Sequence, residues 1–466
     1  MNKTLMKRTY LVFALAMAFL ILQAATAQAM IDGITGPSFA LTAKEDFIST
    51  ADGGTWLLWG YANGTDSTDR AQYPGPILIV NEGQTVTVTL NNELPVPVSI
   101  VFPGQGPVTA TGGAAGLLTQ EVPAAPAGGS VQYTFMAAKP GTYMYHSGTQ
   151  PDLQVEMGLV GAIIVRPLLG AKYAYNHAGA QFDREYLFFL SEMDPIIHKW
   201  VEFFGPSSLE GTDLLSTYFP NYWFINGRTA VDTMLAPNPP GTGLFPTQPY
   251  DSMPMMRPGD RVLMRVVGAG RQIHPFHHHG NHAQVIAKDG RLLDTGTAAG
   301  WPDLSTAVFT IQSVPGQTAD AIFEWTGKGM NWDIYGTGPG YEHNCIDLVD
   351  NKTGLPLPGD PANPYAPGDG YADLTSNHPW EWCADHGKPI PVTLPAFTDL
   401  TMGPFFSGSP YLGKVELLPP GQGGLNPMGA YIFMWHSHNE KELCNYGVFP
   451  GGLMTMMAIH PEVPIE

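Results

Sequence analysis

The chain has 466 residues, a formal net charge of −19 at pH 7, and 54 glycines and 43 prolines. The excess of acidic residues argues against nucleic acid or anionic lipid as a partner. Abundant turn residues and scarce helical periodicity predict an all-β chain, and the length suits two or three domains.

The first 29 residues have the features of a secretory signal. Basic residues Lys3, Lys7 and Arg8 precede an apolar run over residues 10–22, and Ala27-Gln-Ala29 resembles a cleavage site. This pattern predicts export to the periplasm or the extracellular space. An uncleaved anchor is the alternative, although the run is short for a membrane span and no later segment approaches 18 uninterrupted apolar residues.

Short β-branched runs separated by Gly and Pro turns follow from Thr55 onward, which is typical of a β-sandwich. We predict a first sandwich over residues 40–166. A second set of strands opens near Glu185, and its turn-strand patterns repeat those of the first set, so a second sandwich is predicted over residues 180–466.

The second half contains a long insertion, about residues 332–404, rich in Pro, Gly, Asp and Asn. Cys345 and Cys383 lie in this region and are the candidate disulfide pair, which would leave Cys444 unpaired. The insertion also holds a set of acids that could bind calcium or could be solvated, and their spacing does not decide between the two. These acids are Asp347, Asp350, Asp360 and Asp369.

Five histidines occur between Gln272 and His282, at the junction of two predicted strands. In an extended backbone His277 and His279 share one face, whereas His278 points to the other. Pro275 bends the chain and frees His274 for a different pocket. Imidazole is a common ligand of transition metals, so a metal site is predicted, with a solvated polar loop as the alternative.

Two further stretches place histidines at strand ends. Near the C-terminus, His436 and His438 face one side of a predicted strand and Ser437 the other. Near the end of the first sandwich, His146 follows Tyr143-Met-Tyr145 in a corresponding position. The two sandwiches therefore carry imidazoles at matching ends.

These motifs resemble the multicopper oxidases, which are built from Greek-key cupredoxin sandwiches. The residues 73–88 are similar to the family's opening strand pair, and residues 145–147 with 154–165 to the end of its first domain. Phe224-Ile-Asn-Gly-Arg228 is similar to the start of a later domain. His274-Pro-Phe-His-His-His-Gly280 matches the family's His-Pro-x-His-x-His-Gly motif. The resemblance implies two cupredoxin-like domains and copper as the cofactor.

The chain departs from the family pattern at several copper positions. Val101 and Pro103 stand where the first motif has two histidines. The fourth motif, His-Cys-His with a further histidine, has Ser437 in place of the cysteine and Glu442 in place of the last histidine. Serine does not replace a thiolate ligand, and the type 1 site retains only His274. The resemblance therefore implies neither blue colour nor ordinary laccase turnover.

By the family's assignment, five histidines would remain around the oxygen-reducing copper cluster: His146, His277, His279, His436 and His438. These suffice for a mononuclear copper or a depleted pair, and His274 is a weaker candidate ligand. The alternative is a set of remnant histidines without metal. Two-domain members of the family form ring-shaped trimers with copper between subunits, which implies the same assembly here.

Glu440 and Glu442 are weak acid–base candidates because they follow the His436 motif. Glu192, Asp194 and His198 form another polar group, which a turn also explains. The leading hypothesis is a copper-dependent oxidoreductase of unknown substrate and electron donor. A structural or surface-assembly protein and a copper storage or delivery protein are the alternatives. Methionines near the histidine motifs, such as Met434 and residues 454–457, would favour the last, unless they only fill the core.

Overall fold

The computed structural model describes residues 31–64, 66, 68–237, 243–297, 300–336, 344–351, 355–356, 368–376, 378–393, 411–413 and 429–461. Strands account for nearly all regular structure in these ranges, which confirms the all-β prediction. The predicted secretory signal lies outside the described residues. Within them, no helix has the length and apolar character needed to cross a membrane.

The described helices are short. The two α-helices are α1 (Pro151–Gln154) and α2 (Pro195–Phe204). Five 3-10 helices are η1 (Ala178–Ala180), η2 (Pro206–Leu209), η3 (Asp232–Met234), η4 (Cys383–Asp385) and η5 (Glu440–Leu443). α2 begins where Asp194 accepts a hydrogen bond from the backbone N–H of Ile196, and Pro195 occupies its first turn.

The described part of the first half of the chain contains twelve strands. They are β1 (Ile34–Thr35), β2 (Ser38–Ser49), β3 (Thr55–Asn63), β4 (Ala71–Gln72), β5 (Leu78–Asn81), β6 (Thr85–Asn92), β7 (Thr109–Gly112), β8 (Ala114–Ala115), β9 (Gln120–Glu121), β10 (Ser130–Met136), β11 (Gly141–His146) and β12 (Val160–Arg166). They build a four-stranded sheet, β1-β5-β12-β11, a six-stranded sheet, β4-β3-β2-β6-β10-β7, and the β8-β9 hairpin. In β6, Val86, Val88 and Leu90 are buried in the core, as the alternation of a half-buried strand predicts.

Twelve more strands are described in the second half. They are β13 (Arg184–Met193), β14 (Tyr222–Ile225), β15 (Met255–Met256), β16 (Arg261–Gly268), β17 (His274–His278), β18 (Ala283–Lys288), β19 (Arg291–Leu292), β20 (Thr306–Val308), β21 (Thr310–Ser313), β22 (Thr318–Glu324), β23 (Tyr431–Ser437) and β24 (Met454–Ile459). One sheet has the order β14-β13-β16-β22-β18-β19 with β20 paired to β18, and the other has the order β15-β24-β23-β17-β21. The β13-β16 pair is parallel and the β16-β22 pair is antiparallel. In the first half, the β2-β6 pair is likewise parallel and the β6-β10 pair antiparallel.

A buried charge network connects the two halves. Glu185 binds Arg166 at 2.6 Å and Arg265 at 2.5 Å, and both carboxylate and Arg265 side chain have no exposed surface. Arg265 also donates to the hydroxyl of Thr142 at 2.8 Å, and that hydroxyl donates to Asp320 at 2.6 Å. Because each charge has an opposite partner, the network fixes β11 and β12 against β13, β16 and β22.

Replacing Glu185 by glutamine should therefore destabilise the protein strongly. Removing one partner of a buried ion pair leaves an uncompensated charge, which costs about 3–5 kcal/mol of unfolding free energy. Urea denaturation of wild type and variant measures this loss. Glu93→Gln is the control, because Glu93 pairs with Lys44 at the surface and such pairs contribute only about 0–1 kcal/mol. Equal losses in both variants would contradict the role of the network.

The described parts of the insertion pack against the rest of the second half. Cys345 and Cys383 form a disulfide with their Cα atoms 5.8 Å apart, and Cys444 is a free, half-buried thiol. Asp347 is buried and accepts a hydrogen bond from the backbone N–H of Gly370, while Asp369 accepts from Asn351 and Tyr371. These two carboxylates thus hold turns of the insertion. Asp360 lies outside the described residues.

Candidate metal centre

Strand pairing brings two histidine stretches together. β17 lies between β21 and β23, with His277 directly opposite His436 on one side and Thr310 on the other. Directly opposed residues on adjacent antiparallel strands have Cβ atoms about 4.5–5.5 Å apart. The pairing continues past the strand ends, since the backbone N–H of His279 donates to Met434 and that of His438 donates to Pro275.

Four imidazoles form one cluster. The ring centroid of His277 lies 4.8 Å from that of His279, 5.4 Å from His436 and 4.9 Å from His438. His279 and His436 are 5.1 Å apart, with their Nε2 atoms separated by 3.3 Å. One ligand nitrogen from each of His277, His279 and His436 lies within 4.8 Å of the other two. We call these four histidines the histidine cluster.

The orientation of two rings leaves their Nε2 atoms available. Nδ1 of His277 lies 2.9 Å from the hydroxyl of Thr310, and Nδ1 of His436 lies 2.6 Å from the carbonyl oxygen of Ser437. When Nδ1 donates in such a contact, Nε2 carries the lone pair that a metal requires. His278 points the other way, as the strand alternation predicts, and contacts Phe323 and Trp435.

Burial disfavours the protonated form of three of the four imidazoles. His277, His279 and His436 are buried, whereas the side chain of His438 is 54% exposed. Burial, together with repulsion from neighbouring imidazolium charge, lowers the pKa of His277 to about 4 and that of His279 to about 3. Burial also lowers the pKa of His436. Unprotonated imidazoles are the form that binds a metal.

The donor set fits a transition metal. Two nitrogens bound to one metal at about 2.0–2.1 Å span little more than 3 Å at a tetrahedral angle. The Nε2 atoms of His279 and His436 are 3.3 Å apart. The other ring nitrogen of His279, Nδ1, is buried without a hydrogen-bond partner. Two ring nitrogens facing each other at this separation suit a shared cation, and imidazole ligands suit copper or zinc.

His146 lies apart from the histidine cluster. It ends β11 in the first half of the chain, where its Nδ1 lies 2.8 Å from the carbonyl oxygen of Ser147. Its backbone pairs with that of Val101, the residue that replaces a histidine of the family's first motif. Among the described residues, no ring contact or hydrogen bond joins His146 to the cluster. One chain therefore assembles four of the five predicted ligands, all from the second half.

His274 belongs to a different set of residues. Its side chain is fully buried between Glu192 and Glu442, with Nε2 2.9 Å from Glu192 Oε2 and Nδ1 3.0 Å from Glu442 Oε2. Both ring nitrogens are thus occupied. His274 thus lies in a different pocket from the cluster, but a bend at Pro275 is not the reason. Pro275 is paired with Gln312 within β17, and residues three apart on a strand face opposite sides. Of the two weak acid–base candidates, Glu442 is buried here, whereas Glu440 is 77% exposed and lies 3.2 Å from Nδ1 of His438.

Three residues of the site carried no motif in the sequence. Thr310 orients His277, and the ring of Phe309 packs edge-on against His277 with centroids 5.5 Å apart. Glu192 belonged to a polar group that a turn also explained, and Asp194 of that group does cap α2. Polar alternation in a strand could have drawn attention to Thr310. The local sequence gave no signal that Glu192 contacts His274, because the two residues are 82 positions apart in the chain.

The metal-free protein should lose stability at both ends of the pH range. The folded-state pKa values of His277 and His279, about 4 and 3, lie below the unfolded value of 6.5, so their contribution to stability declines as the pH falls below 6.5. The pKa of His274 is about 9, so its contribution is full below pH 6.5 and is lost as the pH rises through about 9.

Urea unfolding between pH 4 and pH 10 measures this dependence. His274→Gln should remove much of the alkaline decline and leave the acid decline in place. Parallel alkaline declines in wild type and variant would contradict the raised pKa of His274.

Comparisons with known proteins agree with the motifs. A family model for multicopper oxidases matches residues 67–169. The chain is 28% identical over 290 residues, 59% of its length, to the copper-containing nitrite reductase of Cereibacter sphaeroides, and spans 66% of that protein. It is 26% identical over 260 residues, 55% of its length, to a probable nitrite reductase-hydroxylamine oxidoreductase fusion protein of Kuenenia stuttgartiensis, and spans 26% of that protein.

A solved structure shares the fold. The multicopper oxidase mgLAC superposes with a TM-score of 0.52 at 18% identity, covering 92% of this chain and 87% of that one. At this identity the likeness concerns the fold alone, and it agrees with the β-sandwich sheets described above. Residues 67–169 therefore match a multicopper oxidase domain, in a chain that has a cupredoxin-like β-sandwich fold.

Proposed function

We propose that this chain is an exported copper protein in which His277, His279 and His436 hold one copper and His438 serves as a fourth ligand. The observation that carries the proposal is the 3.3 Å separation of the Nε2 atoms of His279 and His436, inside a cluster in which His277, His279 and His436 are buried. Copper is favoured over zinc because the relatives named above include a copper protein and the family motif is a copper motif. The basic and apolar pattern of residues 1–29 supports export.

We propose an oxidoreductase activity at this centre. When bound, copper would supply one-electron transfer to or from a small molecule. The residues leave one open approach, because His438 is the exposed member of the cluster and Phe309, 48% exposed, stands beside His277. Glu440 can hold His438 in one tautomer and accept a proton near the open side. Nitrite is the first small molecule to test, because the two relatives described above have nitrite reductase in their names.

An ordinary laccase cycle does not fit this residue set. Ser437 offers no thiolate, and its hydroxyl accepts a hydrogen bond from the backbone N–H of Asn439 at 3.1 Å. His274, the single ligand retained from the family's type 1 site, has both nitrogens committed to carboxylates. We therefore propose that the described residues do not bind the electron-accepting copper of the family.

His146 would complete the centre from a second copy of the chain, in the trimeric assembly that the family resemblance implies. It is half-buried, and the hairpin beside it exposes Leu117 (88%) and Leu118 (60%). A Cβ at Gly148, two residues from His146, would contact Leu118. Exposed apolar side chains beside His146, and Phe309 beside the cluster, suit burial in a subunit interface.

Copper titration followed by electron paramagnetic resonance tests the centre. We expect one copper per chain with the signal of a nitrogen-ligated, non-blue site. Absence of retained copper after reconstitution would overturn the proposal, and more than one copper per chain would overturn its stoichiometry.

The mass of the particle in solution tests the assembly. Sedimentation of the wild type should give three chains per particle. Leu117→Glu combined with Leu118→Glu should give single chains, because two carboxylates would have to be desolvated in the interface. Single chains in the wild type would remove the trimer, although the cluster within one chain could still bind copper.

Copper storage or delivery is the second candidate function. Met454 lies directly opposite His436 in the β23-β24 pairing, and Met434 lies opposite Met456. Thioether sulfur is a preferred ligand of Cu(I), so these methionines could carry Cu(I) to the cluster. Tight Cu(I) binding without any catalytic turnover would favour this function over oxidoreductase activity.

A further inference from the structure

A group of three ionisable side chains lies next to the histidine cluster. Glu192 comes from the end of β13, His274 from the start of β17 and Glu442 from η5. All three side chains have no exposed surface. We call them the carboxylate–histidine triad. They occupy the region where the family resemblance would place a type 1 copper, since His274 and Glu442 stand at two of its ligand positions.

The contacts in the triad define its protonation. Carboxylates accept hydrogen bonds and do not donate them when ionised, so each carboxylate oxygen facing His274 requires an N–H. Nε2 and Nδ1 lie 2.9 Å and 3.0 Å from these oxygens, so a ring that carries both protons donates one hydrogen bond to each carboxylate. Burial opposes this charge, but the hydrogen bonds from His274 to Glu192 and Glu442 outweigh it and raise the pKa of His274 to about 9.

The outer carboxylate oxygens are also satisfied. Oε1 of Glu192 accepts from the backbone N–H of Arg271 at 2.5 Å and of Gln272 at 3.0 Å. Oε1 of Glu442 accepts from the side-chain amide of Asn439 at 2.9 Å. Buried ion pairs require such additional hydrogen bonds to offset desolvation. Every carboxylate oxygen of the triad thus has a donor.

The backbone leaves room for this arrangement. Gly270 has φ +79°, and a Cβ at this residue would overlap the carboxylate of Glu192. Only glycine adopts this conformation without strain and also leaves the space open. The glycine is therefore required by the triad as well as by the turn.

We propose that the carboxylate–histidine triad holds β17, η5 and β13 together where the family resemblance would place a metal ion. By doing so it positions the ligands of the histidine cluster. It joins β17, three residues before His277, to η5, which begins two residues after His438. It also ties both to β13 through Glu192. The proposal rests on the copper-binding function of the cluster. Glu192, His274 and Glu442 are positioning residues, because none of their described hydrogen bonds or ion pairs is to a ring of the cluster.

The Glu442→Gln variant tests this positioning role. Glutamine keeps the shape but removes the negative charge that pairs with Nδ1 of His274. We expect the copper affinity to fall about tenfold, the size of effect seen for outer residues that orient metal ligands. The copper resonance should change from one set of parameters to several, as the ligand strands take more than one arrangement. Glu93→Gln, a surface substitution, should alter neither readout.

A pair of glycine variants tests the same positioning role without changing a charge. Gly270→Ala places a methyl group against Glu192, whereas a Cβ at Gly316, with a similar φ of +81°, meets no atom within 4 Å. Both variants carry the backbone strain of alanine at positive φ. We expect only Gly270→Ala to reproduce the affinity loss and the mixed resonance of Glu442→Gln.

The outcomes separate the two proposals. A wild-type protein that binds no copper overturns the proposed function, and the positioning role with it. A wild type that binds copper, together with Glu442→Gln and Gly270→Ala variants of unchanged affinity and unchanged resonance, overturns the positioning role alone. Equal changes in Gly270→Ala and Gly316→Ala would also overturn it, because backbone strain would then account for the effect.

Discussion

Replacing His277 by alanine is expected to lower copper affinity by about 100-fold or more, since even outer residues that orient metal ligands contribute about 10- to 100-fold. His277 is the centre of the cluster, with ring contacts to His279, His436 and His438. Its removal leaves two buried imidazoles and one exposed one. Competition with a chelator of known affinity measures the loss.

A neighbouring histidine provides the matched control. His282 is exposed and its ring contacts Phe309, but it makes no described contact with the cluster rings. His282→Ala should therefore retain wild-type affinity. Thr310→Val should lose about tenfold, because Nδ1 of His277 would lack its partner while the ligand remains. Equal affinities in the His277→Ala and His282→Ala variants would rule out the cluster as the copper site.

Combining Ser437→Cys with Glu442→His should create a second copper site with blue colour. The first change supplies the missing thiolate, and the second supplies an imidazole while it removes the carboxylate that holds Nδ1 of His274. Two imidazoles and a thiolate are the ligand set of a blue copper centre. Copper content should rise from one to two per chain, with a strong visible absorption.

The single substitutions are the controls for this gain. The Ser437→Cys variant alone should stay colourless, since Glu442 still holds Nδ1 of His274 and supplies no second imidazole. Both experiments are best carried out in a Cys444→Ser background, because Cys444 is the free thiol of the described chain and could bind copper or form a disulfide. A colourless double variant with one copper would show that the triad region does not correspond to the family's type 1 position.

Local sequence patterns were sufficient for the fold class and for the facing of individual histidines. Side chains alternate along a strand, so the spacing of His277 and His279 predicts a shared face, and their rings do lie 4.8 Å apart. The same alternation sends His278 into the core against Phe323. Turn residues between β-branched runs predict a sandwich for a similar local reason. The family motif added copper, which periodicity alone does not identify.

The sequence by itself determined the all-β class and the alternation of side chains along extended segments, because these properties depend on residues close together in the chain. It did not determine β17, since it placed His274–His278 at a junction between two strands. Only the tertiary structure decided that β17 lies beside β23 with His277 opposite His436. It also separated His146 from the cluster and enclosed His274 between Glu192 and Glu442, which are 82 and 168 residues away. The physical reason is that strand order and burial are set by packing across the whole molecule. A histidine thus becomes a neutral ligand or a buried cation according to neighbours that its own segment does not specify.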